Sequence, residues 1–319
     1  MGSFSKLKQI FLEDNDFLLI CHERPDGDSV GSLLALGVAL QSLGKRVTLV
    51  SSDPVPDVFK FLDGWQSIQN DFLSGDYKAV VLVDNGDCRR TGFGERIIAL
   101  KKRSIPLVNI DHHTKNDLWR IANINYVDTE ASSTCELIYQ IIIGLDIAIT
   151  PTIATALMTG IYTDTGGFRH SNTSKGVLEV SSELLKKGAK LRTISSNVSN
   201  SHSVSMLKLW GIALSRLSMN HDFGLAYSVL TRGDIEQVGA NDEEVSGLVN
   251  LINAIPECRA ALLLYETADG KIKGSLRTES ESLDLSKLAN LLCGGGHKKA
   301  CGFSFSGHLE QAEDVWQAI

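Results

Sequence analysis

Short apolar runs alternate with segments of helical spacing through the first half of the chain. The apolar segment from Val30 to Leu43 repeats at helical spacing and stops at Gly44, a residue favoured just beyond a helix end. This alternation predicts the α/β class, with a doubly wound, mainly parallel sheet at the N-terminal end. Four continuous apolar runs have the length of strands buried on both faces: residues 17–21, 47–51, 79–84 and 106–111.

Capping residues give the predicted helices their boundaries. Asp28 or Ser29 is placed to cap the helix that begins near Val30. Thr150 followed by proline predicts another helix start, and this helix delivers Asp164 at its end. A further helix is expected from Ser174 to Lys187. The apolar stretch 141–162 is interrupted by polar residues and a proline, so we interpret it as two helices rather than a membrane span.

The last third of the chain predicts a smaller α+β domain behind a polar linker. Serine and asparagine are concentrated in residues 195–205, and a helical connector is expected to follow as far as Leu217. The resulting domains are 1–195, a linker and connector at 196–218, and 219–319. Within the last domain we expect strands at 225–230, 259–266, 271–277 and 302–305, helices at 243–255 and 285–292, and a helix at the C-terminus.

Composition narrows the functional classes. A length of 319 residues suits two domains, each with a sizeable core. The net charge of −7 argues against a protein that coats nucleic acid nonspecifically, which needs a basic surface, but it leaves nucleotide substrates open. The six cysteines form no CxxC pair, and the N-terminus shows no basic segment followed by an apolar one. We therefore expect buried free thiols and a cytoplasmic protein without membrane association.

Clusters of histidine and aspartate follow several of the predicted apolar elements. In a parallel sheet the carboxyl ends of the strands open onto one crevice, so these groups can converge. Gathered carboxylates repel one another unless a cation neutralises them, and mixed Asp and His ligands suit divalent metals. The pattern predicts a metal-dependent hydrolase with these candidates: His22, Asp26, Asp28, Asp84, Asp111, His112, His113 and Asp164.

Taken singly, most of these clusters have an ordinary structural explanation. Asp26-Gly27-Asp28 is also typical of a turn that caps a helix, and Asp164 suits a polar helix end. Asp84 is the exception, because an ionised carboxylate at the end of a buried strand needs a counter-charge or several donors. A carboxylate that bridges two cations meets that need. Asp87 and Arg90 are expected mainly to hold the loop.

Together the clusters resemble the motifs of the DHH phosphoesterase superfamily, and the glycine-rich segment 294–302 resembles that of the associated DHHA1 domain. The order and spacing are most similar to the bacterial bifunctional oligoribonuclease and pAp phosphatase (nanoRNase) subfamily. The resemblance implies two Mn²⁺ ions, with Mg²⁺ or Co²⁺ as substitutes. It implies His22, Asp26 and Asp84 around one ion, Asp28, Asp84, His112 and Asp164 around the other, and His113 at the scissile phosphate, where it helps protonate the leaving oxygen. A carboxylate such as Asp111 beside histidine ligands commonly fixes their orientation.

The C-terminal domain carries the candidate substrate-binding residues. Gly294, Gly295 and Gly296 let backbone N–H groups approach a phosphate, and His297 adds a donor, although such a segment is also typical of a plain turn. Arg277, at the end of a predicted strand, can clamp a second phosphate with two hydrogen bonds. We expect a short nucleotide to lie in a cleft between the domains, with one phosphate on the metals.

Several functions remain open at this stage. The leading hypothesis is hydrolysis of short RNA oligonucleotides to nucleoside 5′-monophosphates, with pAp as a second substrate. Cleavage of pApA or cyclic di-AMP is a close alternative, and an inorganic pyrophosphatase or exopolyphosphatase is a weaker one, because a small anion requires no separate nucleotide-sized platform. A non-catalytic DHH scaffold that binds nucleic acid is least favoured, since every ligand is present and the charge is negative. The sequence leaves the oligomeric state open, including a homodimer.

Overall fold

The structure is a computed structural model that describes residues 2–73, 75–114, 117–198, 203–312 and 315–319. The chain divides into two compact units, Met1–Ser201 and His202–Ile319. In the described ranges no helix has both the length and the apolar character needed to cross a membrane. The apolar stretch near residue 150 instead forms two separate helices, Thr134–Gly144 and Pro151–Asp164.

The first unit is built on a parallel sheet of six described strands. The sheet order is β3-β2-β1-β4-β5-β6, and every neighbouring pair is parallel. The order reverses direction between β1 and β4, which is where ligands bind in open sheets of this kind. The strands are β1 (Asp16–Ile20), β2 (Arg46–Val50), β3 (Ile68–Gln69), β4 (Ala79–Val83), β5 (Leu107–Asp111) and β6 (Ile124–Val127).

Helices cover both faces of this sheet, which confirms the doubly wound prediction. Alternate residues of a strand point to opposite faces, so Leu19 and Val81 join one core while Leu18 and Val80 join the other. The helices are α1 (Ser3–Glu13), α2 (Gly27–Ser42), α3 (Gly94–Lys102), α4 (Leu118–Ile121), α5 (Thr134–Gly144), α6 (Pro151–Asp164), α7 (Lys175–Lys186) and α8 (Leu191–Val198).

Glycines allow α2 and α6 to pack in close contact below the site. A Cβ on Gly31 would lie 2.4 Å from the carbonyl oxygen of Ala156, and one on Gly160 would lie 2.5 Å from Asp28 Oδ1. Neither position has room for a side chain. The start of α2 and the end of α6 therefore lie together.

The second unit contains a mixed sheet of order β11-β12-β10-β9-β8-β7 and a two-stranded sheet, β13-β14. Helices α9 and α11 pack on one face of the mixed sheet, and α12 packs on the other. The strands are β7 (Ser218–Asn220), β8 (Leu225–Leu230), β9 (Ala260–Glu266), β10 (Lys271–Arg277), β11 (Gly295–His297), β12 (Ala300–Ser306), β13 (Leu309–Ala312) and β14 (Val315–Ala318). The helices are α9 (Val204–Ser215), α10 (Arg232–Gln237), α11 (Leu248–Asn253) and α12 (Leu285–Leu291).

The structure corrects several element predictions. The C-terminal segment is a hairpin and not a helix, because Leu309 is buried against the mixed sheet with Val229. The helix expected at 243–255 is interrupted at Gly247, whose φ of 86° is left-handed. The cap of α2 is Asp26, with Ser29 at the third helical position, and not Asp28 or Ser29.

The predicted linker at 195–205 is partly helical. Its first residues belong to α8, and Ser203 caps α9 by accepting a hydrogen bond from the amide of Met206. Residues 199–202 of the linker lie outside the described residues.

Candidate metal centre

His22 lies just beyond β1, where the chain turns into α2. Its Nδ1 is 2.6 Å from the carbonyl oxygen of Glu23, and this contact places the proton on Nδ1. In the neutral imidazole Nε2 then carries the lone pair, 3.6 Å from Asp26 Oδ2 and 3.6 Å from Asp84 Oδ2. The imidazole is 2% exposed, and Nε2 is buried without a hydrogen-bond partner among the described residues. A fixed tautomer with an unused nitrogen beside two carboxylates is typical of a metal ligand.

A second group forms around His112, beyond β5. Its Nδ1 faces the carbonyl oxygen of Ala131 at 3.4 Å, which again leaves Nε2 for the site. Nε2 lies 3.4 Å from Asp164 Oδ2 and 3.9 Å from Asp28 Oδ2. The ligand atoms of Asp28, His112 and Asp164 all lie within 4.8 Å of one another. The end of α6 thus meets the start of α2 and the end of β5.

Asp84 lies between the two groups. One oxygen, Oδ2, faces His22, while Oδ1 is 3.6 Å from His112 Nε2. The residue follows β4 directly and has a φ of 58°, a left-handed conformation that aspartate tolerates better than most side chains. The carboxylate is 1% exposed. Two oxygens that face two different imidazoles suit a carboxylate shared by two cations.

The N-terminus of α5 donates backbone hydrogen bonds to Asp28. The backbone amides of Thr134 and Cys135 donate to Asp28 Oδ2 and Oδ1 at 2.6 Å and 2.8 Å. The hydroxyl of Thr134 also donates to Asp84 Oδ1 at 3.0 Å. A helix N-terminus favours negative charge, so α5 stabilises a buried carboxylate. Sequence reasoning missed this contact, although Ser133 and Glu136 at the spacing of a capping box marked the helix start.

Asp111 orients His113. Its Oδ1 is 2.7 Å from His113 Nδ1, and its Oδ2 accepts a hydrogen bond of 2.8 Å from the amide of Gly86. The bond to Asp111 raises the pKa of His113, burial opposes this, and the charge of Asp84 adds to the rise. Asp111 bonds to the imidazole of His113 and to the amide of Gly86, so it is a positioning residue. Because Nδ1 of His113 bonds to Asp111, Nε2 is the ring nitrogen that can contact a substrate.

The electrostatics of the site favour a bound cation. Burial raises the pKa of Asp28 and of Asp164, and the neighbouring carboxylates raise both further. Burial disfavours the charged form of His22, but Asp26 and Asp84 outweigh burial and raise its pKa to about 10. Such shifts mark a region of strong negative potential. Within the described residues, the ion-pair partners of the carboxylates around Asp84 are imidazoles. Oxygen and imidazole donors fit a divalent cation such as Mn²⁺.

The structure brings the predicted residues of the first unit together, and Asp87 is in none of the ligand groups found among the described residues. Asp87 Oδ1 accepts a hydrogen bond of 2.9 Å from the amide of Arg90. Among the described residues, three groups of potential ligands emerge, and Asp84 belongs to two of them. These groups are His22, Asp26 and Asp84; Asp84, His112 and His113; and Asp28, His112 and Asp164.

The predicted substrate residues of the second unit lie in one row across its sheet. Ala300 of β12 is the register partner of both His297 and Arg277, so their side chains project from the same face. Arg277 Nε donates to Asn250 Oδ1 at 3.0 Å, and Nη1 donates to the carbonyl oxygen of Leu276 at 2.8 Å. Asn250 is a positioning residue that sequence reasoning missed, and no sequence signal marked it.

Close strand packing explains two of the three glycines before His297. A Cβ on Gly294 would lie 2.1 Å from the carbonyl oxygen of Gly302, and one on Gly296 would lie 2.6 Å from Cys301 Cα. A Cβ on Gly295 would meet open space. Gly295 is therefore the position at which a ligand has room to approach the backbone.

Comparison with known proteins shows the family of the chain. The DHH family, N-terminal domain, matches residues 16–161, and the DHHA1 domain matches residues 222–319. The chain belongs to the DHH phosphoesterase family. It is a metal-dependent hydrolase of that family.

Curated relatives match over most of the chain. The bifunctional oligoribonuclease and PAP phosphatase NrnA of Thermus thermophilus is 31% identical over 301 residues, which cover 93% of this chain and 87% of that protein. The protein of the same name from Bacillus subtilis is 27% identical over 302 residues, covering 93% and 91%.

Solved structures share the fold. An exopolyphosphatase-related protein from Bacteroides fragilis has a TM-score of 0.86 and 27% identity, and the match covers 96% of this chain and 91% of that one. RecJ of Thermus thermophilus, solved in complex with Mn²⁺, has a TM-score of 0.54 and 14% identity, covering 95% and 52%. This second likeness concerns the fold alone.

Proposed function

We propose that this DHH-family hydrolase cleaves short oligoribonucleotides to nucleoside 5′-monophosphates and converts pAp to AMP, with two divalent cations, preferably Mn²⁺. The observation that carries the two-cation proposal is the position of Asp84, whose oxygens face His22 and His112 separately. The substrate assignment is supported by the names of the relatives from Thermus thermophilus and Bacillus subtilis.

The residues of the site have different roles in this proposal. His22, Asp26 and Asp84 would hold one cation, and Asp28, Asp84, His112 and Asp164 the other. Cations held there would lower the pKa of a water and would neutralise charge on the phosphate oxygens. The α5 amides fix the direction of the Asp28 carboxylate and partly oppose the rise of its pKa.

His113 supplies the proton. As water oxygen bonds to phosphorus, the bond from phosphorus to the departing nucleoside oxygen breaks, and that oxygen needs a proton. His113 Nε2 is available to donate it, because Asp111 fixes Nδ1 on the opposite side of the ring. The raised pKa of His113 keeps the imidazole protonated to a higher pH than usual.

The second unit selects the substrate in this proposal. Arg277 and His297 would contact a phosphate that is not being cleaved, and Gly295 gives backbone N–H groups room beside it. Binding energy from such remote contacts positions the reacting phosphate. A nucleotide therefore makes more contacts than pyrophosphate does. The same proposal includes a cytoplasmic location, and it leaves a homodimer open.

One assay tests the substrate assignment. Purified protein with Mn²⁺ is incubated with pAp, pApA, RNA of two to five nucleotides, cyclic di-AMP, pyrophosphate and polyphosphate. We expect turnover of pAp and of the short RNA ladder, and loss of both after EDTA treatment and dialysis. The polyphosphate arm matters because the Bacteroides fragilis relative is named exopolyphosphatase-related. Turnover of polyphosphate or cyclic di-AMP alone would overturn the assignment, and full activity in excess EDTA would overturn the metal mechanism.

A further inference from the structure

A row of polar side chains runs along β10 on the face that carries Arg277 and His297. Lys273, Ser275 and Arg277 alternate along the strand, so they project from one face. Neighbouring members of this row are about 7 Å apart, and the long side chains of Lys273 and Arg277 start about 13 Å apart. Two contacts confirm that this is the α11 face. Arg277 bonds to Asn250 of α11, and the ammonium of Lys273 lies 5.8 Å from the ring centre of Tyr265, which packs in the α11 core.

The neighbouring part of this face carries only small side chains, and we call it the low surface. Gly302 is the register partner of both Ser275 and Gly295, and Ala300 lies between Arg277 and His297. An extended chain can therefore approach the sheet beside β10 without meeting a bulky side chain. The two cationic residues, Lys273 and Arg277, border this low surface.

The charge of Lys273 is available to a ligand. The side chain is exposed, and within the described part of the chain it forms no ion pair. Lys271, two residues earlier on the same face, is instead paired with Asp269. Lys273 is thus the next cation along the strand from Arg277, and among the described residues it has a ring contact but no ion-pair partner.

We propose that Lys273 binds a backbone phosphate of RNA substrates of three or more nucleotides, one position beyond the phosphate held by Arg277. This inference rests on the proposed function. Cationic side chains spaced along a groove are typical of surfaces that follow a single-stranded backbone. The molecule pAp has only two phosphates, one at the reacting site and one for Arg277, so it leaves Lys273 without a partner. Lys273 determines preference for chain length and takes no part in the chemical step.

The test compares substrates of different length in one variant. For Lys273→Ala we expect kcat/KM on pApApA to fall about five- to tenfold, the loss of one charged contact, with kcat/KM on pAp within about twofold of wild type. The loss should appear mainly in KM. The salt dependence of kcat/KM on pApApA should become shallower by about 0.7 in log–log slope.

Lys287→Ala provides the matched control. It removes the same charge from α12, which packs on the opposite face of the sheet, and should leave both substrates unchanged. Equal loss on pAp and pApApA, or no loss on either, would overturn the role of Lys273. If wild-type protein cleaves neither substrate, the proposed function itself is wrong, and that outcome is separate from the behaviour of the variant.

Discussion

The hydroxyl of Thr134 donates to Asp84 Oδ1 at 3.0 Å, although the two residues are 50 positions apart. The same residue donates its amide to Asp28. Thr134 therefore fixes one carboxylate through its side chain and another through its backbone. Because its two hydrogen bonds go to two carboxylates of the site, it acts by holding them in place.

Thr134→Val should weaken metal binding while the fold persists. Valine has nearly the same shape but lacks the hydroxyl, so Asp84 loses one of its orienting bonds, and the loss of such a bond typically costs about 10- to 100-fold in metal affinity. Titration with Mn²⁺ followed by activity measures the change. Thr134→Ser keeps the hydroxyl and should restore most of the affinity, and equal affinity in the valine and serine variants would refute this role.

Asp84→Ala should abolish activity without unfolding the first unit. In the proposed function this carboxylate would serve both cations, so both positions would lose a ligand. On the purified variant, kinetics measures the activity, circular dichroism the fold, and metal analysis the bound ions. Asp87→Ala is the companion variant, because Asp87 bonds to the loop amide of Arg90 and belongs to no ligand group. It should retain more activity and more metal, and a loss as complete as that of Asp84→Ala would show that Asp87 is a ligand.

Asp111→Asn should shift the pH profile of kcat. Asp111 raises the pKa of His113, so its removal lowers that pKa and deprotonates the imidazole at a lower pH. Because the proposed role needs the protonated form, activity should decline at a lower pH on the basic side. A profile of kcat against pH, with metal held saturating, gives the shift. An unchanged basic limb would rule out His113 as the proton donor.

Gly160→Ala should damage the metal centre through packing. The new Cβ would lie 2.3 Å from Cys135 Sγ and 2.5 Å from Asp28 Oδ1, so the carboxylate or α6 must move. We expect lower metal affinity and a loss of about 1–3 kcal/mol in the free energy of unfolding. Urea denaturation and Mn²⁺ titration provide the two measurements.

Gly211→Ala serves as the control for that substitution. It is also helical, but apart from its own helix no atom of the described residues lies within 4 Å of the position its Cβ would take. Alanine there should be neutral or stabilising by about 1 kcal/mol, because glycine weakens a helix. If both variants behave alike, crowding against Asp28 is not the cause.

The sequence by itself determined the parallel sheet and the candidate ligands of the first unit. Both signals are local: buried strands appear as continuous apolar runs, and polar residues directly after β1, β4 and β5 must open onto the same edge. The spacing of the motifs also pointed to the DHH family, which the matched domains confirm.

Only the tertiary structure decided how those ligands are held and how the chain ends. The contact of Thr134 with Asp28 joins residues 106 positions apart, and no local pattern encodes it. The C-terminal segment has helix-forming residues, yet burial of Leu309 against the mixed sheet makes it a hairpin. Local propensity is worth tenths of a kcal/mol per residue, whereas burying one large apolar side chain is worth about 1.5–3 kcal/mol, so packing prevails where the two conflict.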